Sequence, residues 1–545
     1  MVLEKKDQGF WEISPKVAIK DSYSLSLVYT PGVGKVSMEI AENPEKSFEL
    51  TNKANSIAVI AELNGGGVSK TPSLEIKAAL YNKFAGIDAY PLVLEASEAK
   101  EITEIIINLV PTFAGFVLTG FSEDKELKIK ELLKKQKCNS LIVYDSGDDE
   151  KTAMFLRSLL GKNLIESLEL PEEEENLSLG EKSVELHKRA KGVIKINCKA
   201  NFEEICKNPD GANQSTLKGN LVAVISDGSA VLGLGNIGAE AALPVMEGKS
   251  ALFKTLGGVD AMPICLKTQN TEELIKIISK ISPILGGINL EDISAPRCFE
   301  IEKALIEKLN IPVFHDDQHG TAVVVLAGFI NALKLTEKKV DKLKVVVNGA
   351  GAGAIAVSKL LISYGVKNII LCDRTGSIFN GRAEGMNPFK QNMAEITNPN
   401  KEKGMLKDII KNADFFIGLS AANVVNREMV KSMAKKAVIF ALANPVPEIM
   451  PEDAIEAGAF IVATGRSDYK NQVNNSLAFP GIFRGVLDSG AEKITDEMKI
   501  SAAFAIANLI QEQELNPEYI IPHALDLRVA PVVAKAVSEA ANPKS

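Results

Sequence analysis

The sequence is poor in cysteine, histidine and tryptophan, with 6, 4 and 1 in 545 residues. No two cysteines form a C-x-x-C pair, and so few thiols point to neither disulfides nor zinc but to buried thiols in a reducing compartment. Neither charge dominates: 62 Lys+Arg against 70 Asp+Glu leave a net charge of −8. A general polyanion-binding role is therefore not expected, and nucleic acid is not an expected partner. No uninterrupted apolar run approaches the ~18 residues that would span a membrane. The opening MVLEKKDQGFWEI lacks the apolar core of a signal peptide. These absences lead to the expectation of a cytoplasmic α/β protein with no membrane partner. What is present is ordinary globular composition, 46% hydrophobic and 24% charged, which excludes a mainly disordered chain. At roughly 150 residues per domain, the length suggests three to four domains.

An internal repeat organises the first 335 residues. Thr51, Lys53, Asn55 and Ala58-Val59-Ile60 recur as Thr216, Lys218, Asn220 and Ala223-Val224-Ile225, 165 residues on. Farther along, SLEIKAALYNKFAGIDAYPLVL resembles VMEGKSALFKTLGGVDAMPICL, and Lys77 pairs with Lys249 at an offset of 172. Helix-like segments at 99–109 and 271–281 follow in both copies. The copies have diverged unequally. Copy two carries Glu291-Asp292 where copy one has Thr119-Gly120, whereas the Tyr29 of YTPGVG occurs only in copy one. An acidic stretch, PEEEEN (171–176), reads as a solvated linker between them. The expected domains are therefore residues 1–170, 177–335 and 336–545.

The third region alternates β-branched runs with helical patterns, the signature of a doubly wound parallel sheet. Two of the chain's glycine stretches fit a dinucleotide fingerprint. Gly233-Leu-Gly235-Asn-Ile-Gly238 follows a strand–turn–strand pattern, and Pro244 is expected to disrupt the helix that should come next, so it reads as a structural or substrate-side loop. Gly349-Ala-Gly351-Ala-Gly353-Ala354 directly follows the strand LKVVV and opens an apolar-periodic helix over 354–364. A second strand, NIILCD, ends in Asp373, 22 residues after Gly351. Glycines let backbone approach a pyrophosphate at a helix N-terminus, and the acid is placed for the ribose 2′-hydroxyl. A carboxylate there favours NAD over NADP, while the adjacent Arg374 offers a partner for a 2′-phosphate and leaves NADP open.

Polar residues gather at expected strand ends. Glu291-Asp292 follows ILGGINL, and Asp316-Asp317 follows PVFH, with a helix expected from near Gly320. Alone, each acidic pair reads as a turn or cap. Together they read as an oxygen-donor site for Mg²⁺ or Mn²⁺. Lys249, between Gly248 and an apolar helix, would ordinarily be a solvated face residue. To serve as a base its pKa must fall from ~10.4 towards 7–8, through burial or a nearby cation. Tyr29 precedes Thr-Pro-Gly, a rigid turn able to aim a phenol, although a packed tyrosine is the plainer reading. Asn444, Asn474 and Asn475 stand beside strand ends or turns, where amides donate to a carboxylate without adding charge.

In order, YTPGVG, LVAVISDGSAVLGLGNIG, PVMEGKSALF, NLEDISAPRCFEIE, FHDDQHGTA, NGAGAGA, FALANP and NNSLAFPGIFRG resemble the blocks of malic enzymes, especially the small-subunit branch. The likeness covers roughly residues 180–545 and a displaced piece around 11–60. It implies a Rossmann-type NAD domain behind two tandem amino-terminal-type α/β domains. It also implies conversion of malate to pyruvate and CO₂ with NAD(P)⁺ and Mg²⁺ or Mn²⁺. By motif, the resemblance makes Glu291, Asp292 and Asp317 the metal ligands, Lys249 the general base, Tyr29 the general acid and Asp316 the carboxylate that orients the lysine. Asn444 and Asn475 resemble malate-binding amides, with Asn474 beside them. Gly349, Gly351, Gly353, Ala354, Asp373 and Arg374 would bind the nucleotide. The large-subunit branch has an arginine gripping malate where this chain has Ser229-Ala230, so the carboxylate anchor is unassigned. In small-subunit relatives, as the resemblance implies, the tyrosine reaches the partner's active site. Here copy one would play that partner in cis, an intramolecular pseudo-dimer compatible with a monomer or a homodimer. Two other functions stay open: a malolactic enzyme that retains NADH and releases lactate, and a non-catalytic nucleotide-binding regulatory protein.

Overall fold

Parallel strands buried on both faces need continuous apolar runs, because helices cover each side of the sheet. The amino-terminal half of the chain supplies such runs twice. The computed structural model describes residues 11–63, 71–138, 140–145, 147–160, 178–198, 216–231 and 233–542. The PEEEEN linker and the NGGGVS stretch of copy one therefore lie outside the described residues. Those described fall into two units, one of Leu3–Ile293 with Glu300–Val313, the other of Ser294–Phe299 with Phe314–Ser545.

In the first unit, β1 (Trp11–Pro15) is followed by helices α1 (Ser22–Val28) and α2 (Val33–Glu42). Then come β2 (Ser56–Glu62), α3 (Thr71–Ala85), β3 (Asp88–Leu94), α4 (Ala99–Leu109), β4 (Gly115–Leu118) and β5 (Leu141–Tyr144). Next are α5 (Leu179–Ala190), β6 (Ile194–Cys198), β7 (Leu221–Ser226), α6 (Ala239–Gly257), β8 (Asp260–Cys265), α7 (Thr271–Ile281), β9 (Gly287–Leu290) and β10 (Val313–His315). The sheet orders are β3-β2-β4-β5 and β8-β7-β9-β10, the same path traced twice. Helices α4 and α7 fall on the residues expected from sequence. Each buries an i, i+3, i+4, i+7 stripe: Ile102, Ile105, Ile106 and Leu109 in one, Leu274, Ile277, Ile278 and Ile281 in the other.

The two sheets are clasped by reciprocal bonds. Strands β1 and β6 pair antiparallel, with Ile13 opposite Ile196. The Ile13 N–H donates to Asp260 Oδ1 at 2.9 Å, and the Ile196 N–H donates to Asp88 Oδ1 at 2.7 Å. Likewise the Asn52 N–H donates to Glu247 Oε1 at 2.7 Å and the Leu217 N–H to Glu75 Oε1 at 2.8 Å. The Lys267 and Glu95 N–H groups donate to the Asn108 and Lys280 carbonyls at 3.1 and 2.9 Å. Each copy thus holds its counterpart from equivalent repeat positions.

Two local expectations fail here. Pro244 does not stop a helix: α6 runs from Ala239 to Gly257 through it. It stands in the second turn, where its missing N–H removes one intrahelical bond that the otherwise buried helix tolerates. The pattern ISDGSAVLGL does not make two strands either. After β7, among the described residues, only an isolated bridge, Val231 to Gly235, is left. GLGNIG is a loop leading directly into α6, with Gly233, Gly235 and Gly238 all at positive φ.

The second unit begins with α8 (Asp316–Thr336), followed by β11 (Lys344–Asn348), α9 (Ala352–Tyr364), β12 (Asn368–Asp373), β13 (Gly376–Ser377), β14 (Phe415–Gly418), β15 (Val438–Ala441), β16 (Ile461–Thr464) and α10 (Asp496–Ala507). The sheet runs β13-β12-β11-β14-β15-β16, parallel but for β13. Chain order reverses on either side of β11, and the crevice at such a switch point is where α/β sheets take ligands. Helix α8 starts at Asp316, not near Gly320, because the two aspartates favour the amide-rich first turn. At 21 residues it is long and apolar enough to cross a membrane, yet 72% of that stretch is buried inside the protein against α9 and α10. It is a core helix. Cys138, Cys265, Cys298 and Cys372 are free thiols.

Burial raises the Glu75 carboxyl to about 8 and that of Glu247 to about 7, with backbone N–H donors pulling each down. A folded carboxyl raised above its unfolded value of 4.5 stabilises below that value and loses the contribution as pH rises through the folded one. The unfolding midpoint of this unit should therefore fall between pH 5 and 8. Glu75→Gln, which keeps the oxygen accepting from Leu217, should raise the midpoint at pH 8 by ~2–4 °C and flatten the slope. Calorimetry across pH checks this.

Candidate active site

Helix α6 is buried on nearly every side, and Lys249 within it is wholly inaccessible. Its ammonium donates to Glu291 Oε1 at 2.6 Å, and Asn289 Nδ2 donates to the other Glu291 oxygen at 3.0 Å. Glu291 stands just past β9, as its strand-end position requires. Asp292, also buried, adopts φ +54°, a left-handed conformation that aspartate tolerates better than most residues. Its carbonyl accepts from the Ala230 N–H at 2.9 Å, tying the SDGSA loop to the acidic pair. In that loop Ser229 is occupied with Asp227, donating through N–H and Oγ at 3.0 and 2.5 Å.

Tyr29 closes α1 with its N–H on Leu25 O, and the following turn is held by Gly32 N–H to Ser26 O. Ser183 of α5 donates to Leu27 O at 2.6 Å. This braced tyrosine lies with its ring centroid 6.0 Å from Lys249 Nζ. The approach depends on Gly248, where a Cβ would stand 2.1 Å from Val28 O and 3.3 Å from the Tyr29 ring. Copy one and copy two therefore meet at the lysine.

The equivalent lysine of copy one is spent differently. Lys77 Nζ pairs with Asp145 Oδ2 at 2.8 Å and with Asp149, and Thr119 Oγ donates to Asp145 at 2.8 Å. Burial lowers its pKa, but the two carboxylates outweigh that and hold it above the ordinary lysine value. A lysine held protonated in this way is unsuited to act as a base.

In the second unit, Asp316 and Asp317 occupy the first turn of α8, where the helix field favours anions. Asp316 is buried and accepts from Asn475 Nδ2; the His315 ring stands 3.8 Å from Asp317. Asn474 is a cap: its side chain accepts from the Ser476 N–H at 2.9 Å. Asn444 packs against Gly465. Glu291 and Asp292 of the first unit and Asp317 of the second are oxygen donors of the type Mg²⁺ and Mn²⁺ take.

Gly349, at φ +131° with Leu419 O only 2.5 Å from where a Cβ would be, turns the chain from β11 towards α9. Beside it opens a cleft of ≈ 630 Å³ whose lining includes Asn348, Gly349, Gly351, Asp373, Arg374 and Lys390. Gly353 and Ala354 lie in the first turn of α9, the element that presents N–H groups to a phosphate. Asp373 is held by Lys390 at 2.7 Å and Arg382 at 2.8 Å. Burial would raise its carboxyl, but these cations and Thr375 depress it to about 2.

Residues 185–306 match the malic enzyme N-terminal domain and residues 318–542 the malic enzyme NAD binding domain. A bifunctional malic/malolactic enzyme of Bacillus subtilis is 58% identical over 344 residues, 63% of this chain and 83% of that protein. The chain belongs to the malic enzyme family. An NAD-dependent malic enzyme of Geobacillus stearothermophilus is 57% identical over 62% of this chain and 70% of its own length. The crystal structure of the NAD-dependent malic enzyme from Thermotoga maritima superposes with a TM-score of 0.59 at 47% identity, covering 71% of this chain and 98% of that one. Both family matches lie beyond residue 184.

Three features escaped the sequence reading. Glu247 and the Asp88/Asp260 pair hold the two copies together, and their signal was the repeat itself, since each recurs at the 172-residue offset. Lys390 and Arg382 left no local signal, being 17 and 9 residues from Asp373. The packing of Gly248 yields a direct test. Gly248→Ala should cost ~1–3 kcal/mol through the clash with Val28, read as a lowered denaturation midpoint in urea.

Proposed function

We propose that this chain oxidatively decarboxylates malate to pyruvate and CO₂ with reduction of NAD or NADP, and that copy one completes the active site in cis. The observation that carries the second part is Tyr29 of copy one packed against the buried Lys249 of copy two. Lys249 is the general base that takes the C2 hydroxyl proton, and Asp316 is the carboxylate that orients it. Tyr29 is the general acid that delivers a proton to C3 after CO₂ leaves. Asn444, Asn474 and Asn475 bind the malate carboxylates. Glu291, Asp292 and Asp317 hold Mg²⁺ or Mn²⁺, while Gly349, Gly351, Gly353, Ala354, Asp373 and Arg374 bind the nucleotide. When bound, the divalent ion supplies Lewis acidity towards the C2 oxygen and the nicotinamide accepts hydride.

Residues 1–170, 177–335 and 336–545 are read as a degenerate first copy, a working second copy and the nucleotide domain. The reciprocal bonds between Glu75, Asp88, Glu247, Asp260 and the opposite backbones support an intramolecular pseudo-dimer. Copy one has Thr119-Gly120 where copy two has the acidic pair Glu291-Asp292, which supports one active site per chain.

Purified protein with malate, NAD⁺ or NADP⁺ and Mn²⁺ should release pyruvate and reduced nucleotide in equal, metal-dependent amounts. Lactate without net nucleotide reduction would instead identify the malolactic reaction, the second activity in the name of the Bacillus subtilis relative. No turnover with either nucleotide would sink the enzymatic reading. Tyr29→Phe should lower kcat by ~10²–10⁴ with little change in thermal stability; unchanged kcat would remove copy one from the active site.

A further inference from the structure

The carboxylate at the end of β12 has no room for another donor. Asp373 Oδ1 accepts from the Thr375 N–H, Thr375 Oγ and Arg382 at 3.0, 2.9 and 2.8 Å, and Oδ2 accepts from Arg382 and Lys390 at 3.0 and 2.7 Å. Five bonds exceed the about four lone-pair sites a carboxylate offers. Arg382 is clipped in place as well, donating to the Gly376, Ser377 and Glu384 carbonyls, and its side chain is only 6% exposed. It is a fixed strut. Lys390 spends two of its three donors, on Asp373 and on Gly385 O at 2.9 Å. The third remains for the cleft that Lys390 lines. Arg374, exposed on the same wall, has no ion-pair partner among the described residues. Asp373 is the sole acid of that lining, set against the cations of Arg374, Arg382 and Lys390.

We propose that this end of the cleft accepts a 2′-phosphomonoester on the adenosine ribose, bound by Lys390 and Arg374, with Asp373 positioning Lys390 instead of accepting the 2′-hydroxyl. The inference rests on the nucleotide-binding reading of the cleft. It reverses what an acid at this position suggests from sequence, because the acid's charge is already cancelled by its neighbours. The cations left over are the ones a phosphate meets, and a chain with this arrangement should use the 2′-phosphorylated nucleotide without an electrostatic penalty.

Calorimetric titration of the full chain with AMP, 2′-deoxy-AMP and adenosine 2′,5′-bisphosphate tests it. The bisphosphate should bind about tenfold more tightly than AMP at low salt, with the advantage shrinking as salt is added. The deoxy compound should bind within about twofold of AMP, since no bond to the hydroxyl is lost. Lys390→Ala should abolish the bisphosphate advantage while AMP still binds, and Lys390→Arg should restore it. Asp373→Ala discriminates by sign: a positioning acid predicts weaker bisphosphate binding, whereas a merely repelling one predicts tighter binding. A bisphosphate no tighter than AMP, a deoxy compound about tenfold weaker than AMP, or tighter bisphosphate binding by Asp373→Ala would each overturn the proposal. If none of the three ligands binds, the nucleotide reading falls with it.

Discussion

Buried carboxylates accepting backbone N–H bonds from the opposite copy are the interaction on which the amino-terminal unit depends. Glu75 and Glu247, with Asp88 and Asp260, each stand at the same place in their own copy and reach into the other. A charged acceptor makes a stronger bond than a neutral one, but taking it out of water is costly. The raised carboxyls of Glu75 and Glu247 record that cost. The return is register. A carboxylate that must find one particular N–H leaves little freedom in how the two sheets are clasped, and the antiparallel pairing of β1 with β6 follows from the same constraint.

That fixed register has a chemical consequence. It brings α1 against α6 at Gly248, and so brings Tyr29 over Lys249. The two lysines that descend from one repeated motif then meet different partners. Lys249 faces Glu291 at the end of β9, itself held by Asn289. Lys77 is enclosed by two aspartates. Identical residue types at identical repeat positions therefore meet different neighbours in the folded chain.

The nucleotide unit shows the same principle in another form. An aspartate after the second strand of a dinucleotide fold is ordinarily read as a partner for the ribose. Here its oxygens are taken by Thr375, Arg382 and Lys390. The residue type is unchanged, but its accepting capacity is used up within its own turn and by the chain that returns beside it.

Much of this protein could be read directly from sequence. The doubly wound sheet, helices 99–109 and 271–281, the Gly349 turn into α9 and the strand-end positions of Glu291 and Asp373 all follow from signals a few residues long. Periods of two and 3.6, glycine at a turn that only glycine can make, and the match between two copies are local properties, and local properties survive in a linear string. Other features were decided by packing. Pro244 sits inside α6 because a buried helix can forgo one bond, and α8 begins at Asp316 because its acids suit the helix end. Which donor satisfies Glu247, which ring covers Lys249 and which cations neutralise Asp373 all depend on residues distant in sequence. Desolvation makes each buried charge find a partner, and only the folded chain determines which one is within reach.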